Sequence, residues 1–386
     1  MKLIPYGRQL IDKKDISEVA KVLASDWITQ GPKVKEFEQI LCNYTGAKYA
    51  VAVSSGTAAL HIAALAAGIK PQDEVITSPV TFVASANCIL YCGATPVFAD
   101  IEAGTVNINP IEIEKKISEN TKAIIPVHFA GLPCDMEKIN RIAKKNNLIV
   151  IEDACHALGA QYQCGSRWFN VGGCKHSDMT VFSFHPLKHI TTGEGGAITT
   201  NNIKLYEKLL ALRSHGIYKN QDMTVKHGLW YYEMRELGFN YRITDFQCAL
   251  GISQMKKLDT FIKRRRQIAD IYHKAFEGID CVEIPGASAT KRHSYHIYLL
   301  KVNFRKIKFS RKKFMEALKN LDVQTQVHYI PIYRQPYYSN RYNLRLQDFR
   351  ESESYYGRAI SIPIYPAMKN IEVAAVIKNI KKLIPS

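Results

Sequence analysis

Short apolar runs alternate along the first two-thirds of the chain with longer stretches whose apolar residues recur every third or fourth position. The runs at 49–53, 74–77, 95–98, 123–127, 148–151 and 180–184 predict strands. The stretches at 57–67, 83–92, 110–119 and 136–146 predict amphipathic helices between them. Alternation of this kind, running from about residue 17 to 255, implies an α/β fold with a mostly parallel sheet and crossover helices. In such sheets the ligand-binding residues gather at the carboxyl ends of the strands.

The rhythm changes after about residue 255. A long basic helix over 253–276 leads to strand-like alternation over 294–303, a helix over 311–319 and more strand-like sequence over 323–329. A terminal helix over 371–383 puts Ile371, Ala374, Ala375 and Ile377 on one apolar face. The expected organisation is a large α/β domain with its N-terminal segment over 1–255, followed by a smaller α+β domain over 256–386.

Composition narrows the class. Of 386 residues 46% are hydrophobic and 23% charged, as in a soluble globular protein. No apolar stretch reaches the roughly 20 residues of a membrane span, and Met1 to Arg8 hold no signal-peptide apolar core. A cytoplasmic chain with no membrane partner is expected. Nine cysteines at irregular spacing read as reduced thiols. Cys155-His156, Cys164 and Cys174 with His176 are zinc-ligand types, but none forms a tight C-x-x-C pair, so no metal is expected. The 52 basic and 35 acidic residues leave a net charge of +17, which suits an anionic partner. Its densest cluster, Lys256-Lys257 and Lys263-Arg264-Arg265-Arg266, reads as a solvated helix face. No nucleic-acid-binding motif accompanies it, and no nucleic-acid partner is expected.

Three segments carry candidate chemistry. Ser54-Ser55-Gly56-Thr57-Ala58-Ala59-Leu60 follows a strand and opens a helix, where N–H groups and hydroxyls suit a phosphate; the same residues also suit an ordinary N-cap. Val150 to Ala157 ends another strand with two acids, Glu152 and Asp153. A carboxylate there suits holding a proton on a heterocyclic nitrogen, or else capping a helix. Lys188 stands between the apolar run Met179 to Phe184 and the turn Thr191-Thr192-Gly193-Glu194-Gly195-Gly196. Desolvation there would leave a free amine able to attack a carbonyl as a Schiff-base lysine does. Taken alone, Lys188 also suits a surface position at a loop mouth. Phe82 suits stacking on a flat ring or core packing, and Ser183 a further phosphate contact. Cradle, acid and lysine at the strand ends of one sheet together point to pyridoxal 5′-phosphate.

These segments resemble the DegT/DnrJ/EryC1 family of sugar aminotransferases. The carrying residues are Ser55 to Leu60, Glu152-Asp153-Ala154, Phe182 to Lys188, Gly193 to Gly196 and Gly238-Phe239-Asn240-Tyr241-Arg242. The resemblance implies a fold-type I, aspartate-aminotransferase-like architecture and a homodimer with both active sites at the interface. It implies that Gly56, Thr57 and Ser183 hold the cofactor phosphate, with Asn240 of a second copy closing over it. Phe82 would stack on the ring, Asp153 would pair the pyridine nitrogen, His156 would line the pocket and Lys188 would carry the reaction.

Arg213 to Ile217, Gln326 to Tyr333 and His185 to Gly196 further resemble a subgroup acting in pseudaminic acid biosynthesis. That subgroup moves the amino group of L-glutamate to C4 of a UDP-linked 4-keto-6-deoxy-N-acetyl hexosamine. Tyr6, His328 and Tyr329 would then bind the sugar. The chain departs from the subgroup at Ser54-Ser55-Gly56-Thr57, commonly Asn-Ser-Ala-Thr, and at His189, frequently proline. Dehydratase relatives replace the reactive lysine with histidine; here the lysine is present. The alternatives are another nucleotide-sugar 4-aminotransferase, of perosamine or 4-amino-arabinose type, and a basic regulatory or nucleic-acid-binding protein with a relic site.

Overall fold

In the computed structural model, which describes residues 3–286 and 288–384, the apolar runs pair into one seven-stranded sheet. From edge to edge the strands are Tyr49–Val53, Gly196–Thr200, Met179–Ser183, Ile149–Asp153, Thr121–Ile125, Glu74–Thr77 and Thr95–Phe98. Neighbours run parallel except Gly196–Thr200, which is antiparallel to both of its neighbours. All six expected strands form, with ends shifted by a residue or two. Successive side chains alternate between two apolar layers: Phe182 packs with Phe37, Leu41 and Ile139, while Val181 packs with Ile62, Ile89 and Ile198. Each such buried side chain contributes about 1.5–3 kcal/mol.

The strand Gly196–Thr200 adds to the expected set. Its threonines disguise it, yet both are buried with satisfied hydroxyls: Thr199 Oγ1 donates to the Gly172 carbonyl at 2.8 Å and Thr200 Oγ1 to that of Asp178 at 2.7 Å. A side chain at Gly196 would sit 2.5 Å from the Ser55 carbonyl oxygen, so glycine lets this strand pass the Ser55 loop. Helices Lys13–Leu23 and Pro32–Thr45 likewise add to the expected elements.

The long basic helix is two helices, Asp245–Met255 and Leu258–Phe276. The chain breaks at Lys256-Lys257, where Lys257 Nζ reaches Asp12 at 2.9 Å and Asp15 at 2.6 Å. The solvated face is corrected further. Arg264 Nη2 donates to the Met368 carbonyl at 2.6 Å and Arg266 Nε to that of His293 at 2.9 Å. Arg265 is buried, its Nη1 donating to Ile364, Tyr295 and His296 carbonyls. Only Lys256 and Lys263 of that cluster remain exposed.

Residues 268–384 build a third apolar layer, with Tyr272, Tyr298, Phe314 and Val373 in it and Ile4 joining from the N-terminal segment. Its strands Val282–Glu283, Tyr298–Val302 and Ala359–Ile362 pair antiparallel. Residues 323–329 make isolated bridges rather than a strand: Val323 to Ile4 and Gln326 to Ser361. Among the described residues no helix is long and apolar enough to cross a membrane, and no group of three or more His, Cys, Asp or Glu is placed to hold a metal. All nine cysteines are free.

Candidate active site

A pocket of about 600 Å³ opens at the carboxyl ends of the parallel strands. Ser55 and Gly56 follow the first strand, Phe82 follows Glu74–Thr77, and Asp153 and Ser183 end their own strands. Lys188, on the turn after Ser183, faces the same space; its N–H donates to the His185 carbonyl at 2.9 Å. Tyr6, Thr57, His156, His328 and Tyr329 complete the set of sequence-predicted residues lining the pocket. Asn240 does not line it; it is exposed and bridges to Ser214.

The helix Gly56–Ala66 starts here because Ser55 caps it, its Oγ accepting from Ala58 N–H at 3.0 Å. The capping and anion-binding readings are compatible: Gly56 and Thr57 are first-turn residues whose N–H groups have no intrahelical acceptor. A side chain at Gly56 would lie 2.9 Å from Ser183 Cβ. Glycine keeps that gap open.

Strand alternation separates the two acids. Asp153 turns into the pocket, where Ser85 donates to Oδ2 at 2.6 Å and the Cys155 N–H to Oδ1 at 3.1 Å. Ser85 is itself 2.7 Å from the Thr81 hydroxyl. Glu152 turns into the core and meets His128 Nε2 at 2.6 Å, Thr180 Oγ1 at 3.1 Å and the Ser177 hydroxyl. Burial opposes its ionisation, but those three donors hold its carboxyl below the usual range.

Lys188 Nζ makes no hydrogen bond or ion pair among the described residues. Burial pushes its amine below the ordinary lysine range, with Cys155 and Asp153 partly opposing. The imidazoles around it are also pushed down by burial and by the Lys188 charge: His156 well below its ordinary value and His328 to about 4. Burial thus favours the neutral form of each.

Tyr329 Oη lies 3.1 Å from His156 Nε2, and burial raises the phenol well above its ordinary pKa. His328 Nδ1 lies 2.8 Å from Ser361 Oγ, with the Tyr6 ring 5.6 Å away. Phe82 is 56% exposed with its ring 6.1 Å from that of Tyr329, so core packing does not account for it. The structure adds residues that the sequence reading missed. Ser85 grips Asp153, Cys155 flanks Lys188, and the His296 ring packs 4.4 Å from that of His156. Serine at 85 carries no local signal, because its partner is 68 residues away.

Comparison with known proteins decides the family. The model of the DegT/DnrJ/EryC1/StrS aminotransferase family matches residues 9–381. The chain belongs to that family. It is 42% identical over 383 residues to the spore coat polysaccharide biosynthesis protein SpsC of Bacillus subtilis, covering 99% of this chain and 97% of that one. It is 39% identical over 384 residues to the UDP-4-amino-4,6-dideoxy-N-acetyl-β-L-altrosamine transaminase of Campylobacter jejuni, covering 98% and 96%. The structure of Helicobacter pylori PseC, an aminotransferase involved in pseudaminic acid biosynthesis, superposes with a TM-score of 0.91 at 33% identity over 99% of both chains. The architecture is that of fold-type I aminotransferases, and the cofactor of this sugar aminotransferase is pyridoxal 5′-phosphate. The pocket fits that group: it offers an open cradle at Gly56, a doubly anchored acid and a buried, unpaired amine.

Proposed function

We propose that the enzyme transfers the amino group of L-glutamate to C4 of a UDP-linked 4-keto-6-deoxy-N-acetyl hexosamine. The product would be UDP-4-amino-4,6-dideoxy-N-acetyl-β-L-altrosamine, a precursor of pseudaminic acid. The observation that carries the chemistry is the buried Lys188 amine without a partner, in one pocket with Asp153. The likeness to the Campylobacter jejuni transaminase supports the sugar.

The cofactor supplies an electron sink and a carrier for the amino group. Lys188 would hold it through the amine and, once free, would serve as the base for the proton on the donor Cα. Asp153, fixed by Ser85 and the Cys155 N–H, holds a proton on the ring nitrogen. The N–H groups of Gly56 and Thr57 and the Ser183 hydroxyl would bind the phosphate, Phe82 would stack on the ring, and His156 would line the pocket. Tyr6, His328 and Tyr329 orient the sugar. The same steps in reverse deliver the amine to the keto sugar.

We further propose a homodimer in which Asn240 of a second copy reaches the phosphate. The large exposed side chains Val225, Leu229, Trp230 and Leu237 support a partner on that segment. The higher identity to SpsC favours a second reading, in which the acceptor is a different nucleotide-linked keto sugar. Turnover with glutamate on a panel of UDP-, GDP- and dTDP-linked keto sugars separates the two. Preference for the UDP-linked N-acetyl sugar supports the first, and preference for another member supports the second.

A further inference from the structure

A second cleft of about 710 Å³ shares no lining residue with the Lys188 pocket. Its charged lining is Lys35, Lys48, Arg213 and Arg242, against the single acid Glu38. Glu38 is already committed: its Oε1 accepts from the Ala52 N–H at 2.9 Å and from Arg213 Nη1 at 2.6 Å. Arg213 Nη1 also donates to the Ala52 carbonyl at 2.9 Å. Among the described residues, the side-chain hydrogen bonds of Arg213 therefore use one nitrogen. Its Nε is buried without an acceptor, and Nη2 has none among the described residues.

Nη2 is therefore the Arg213 nitrogen left for an anion in the cleft, where a guanidinium N–H makes a charge-assisted hydrogen bond to a phosphate oxygen. Lys35, Lys48 and Arg242 have no carboxylate partner among the described residues and would surround the same anion. Tyr49 and Tyr206 line the same cleft as a stacked pair, ring centroids 4.8 Å apart at 18°. Stacked rings of this kind offer a flat wall on which a base can rest. Paired cations alone would suit any polyanion; the tyrosine wall beside them suits one that carries a flat ring.

We propose that this cleft binds a nucleoside diphosphate, with the diphosphate on Arg213, Lys35, Lys48 and Arg242 and the base on the Tyr49–Tyr206 pair. The site is distinct from the Lys188 pocket of the same chain, and the proposal does not depend on which sugar that pocket aminates.

The test is calorimetric titration of the holoenzyme with UDP and, separately, with inorganic pyrophosphate, in wild type and in a Lys35→Glu/Lys48→Glu variant. Both lysines are exposed, so the variant should fold, and the rate of its half-reaction with glutamate checks that it does. The expected result is loss of one UDP equivalent per chain, or at least tenfold weaker binding at that equivalent, with the half-reaction unchanged. Identical UDP isotherms in the two proteins would overturn the proposal. Pyrophosphate binding as tight as UDP would remove the base from it. A wild-type protein inert toward glutamate would count against the active-site reading and leave this titration decisive on its own.

Discussion

The Ser85 hydroxyl donates to Oδ2 of Asp153 at 2.6 Å, while the Cys155 N–H holds Oδ1 at 3.1 Å. The acid is therefore fixed from both sides before any cofactor arrives. Ser85→Ala removes a hydrogen bond to a charged group, worth about 1.5–3 kcal/mol. The half-reaction with glutamate should slow by roughly ten- to a hundredfold, by the rule that about 1.4 kcal/mol is tenfold. Stopped-flow absorbance checks this, and Ser85→Thr should recover part of the rate.

Tyr329 and His156 form the other polar contact across the pocket, at 3.1 Å. Tyr329→Phe keeps the ring and removes the hydroxyl. If this pair faces the sugar, the glutamate half-reaction should stay within about twofold of wild type. The return half-reaction with the keto sugar should slow by about tenfold, matching the loss of one hydrogen bond. Equal slowing of both halves would place the hydroxyl on the cofactor side instead.

How far the site was legible follows from what each signal depends on. Lys188, Asp153 and Gly56 each sit at a strand end, and strand ends follow from short-range apolar pattern, so their convergence could be read from the chain. Which of Glu152 and Asp153 enters the pocket follows from alternation only once the strand's faces are known. Ser85 and His296 owe their roles to partners far along the chain, which no local pattern records. The basic run at 263–266 misled for the same reason. Arg265 reads as a surface charge until the carbonyls of Tyr295, His296 and Ile364 are seen to enclose it. The strand Gly196–Thr200 was hidden because its hydroxyls are satisfied by distant carbonyls.

Burial lowers the Lys188 amine from its ordinary 10.5, and Asp153 partly restores it. The reactive neutral amine is lost as pH falls through the lowered pKa. Uptake of pyridoxal phosphate by the cofactor-free protein should therefore rise with pH along a limb whose midpoint lies below 10.5. Asp153→Asn removes the charge that favours the ammonium and should move that midpoint further down. A midpoint at or above the ordinary lysine value would contradict the burial argument.

Glu152 makes the fold sensitive to acid. Its folded-state carboxyl is held below its ordinary value of 4.5, so its contribution is present above the unfolded pKa and lost as pH falls through the folded one. Thermal melts from pH 7 to pH 3.5 should show Tm dropping steeply on acidification. Glu152→Gln should start lower at pH 7, by about 1–3 kcal/mol for the disrupted buried network, and fall less steeply. Parallel curves for the two proteins would show that Glu152 is not the titrating group.

The most direct measurement follows the visible absorbance of the holoenzyme through one full cycle. In the wild type, L-glutamate should bleach the band of the lysine-bound cofactor, and the UDP-linked 4-keto-6-deoxy-N-acetyl hexosamine should restore it with formation of the 4-amino sugar. Lys188→Arg should remain folded and show neither change. Bleaching and recovery in Lys188→Arg, or a wild-type band indifferent to glutamate, would contradict the assignment of amino transfer to Lys188.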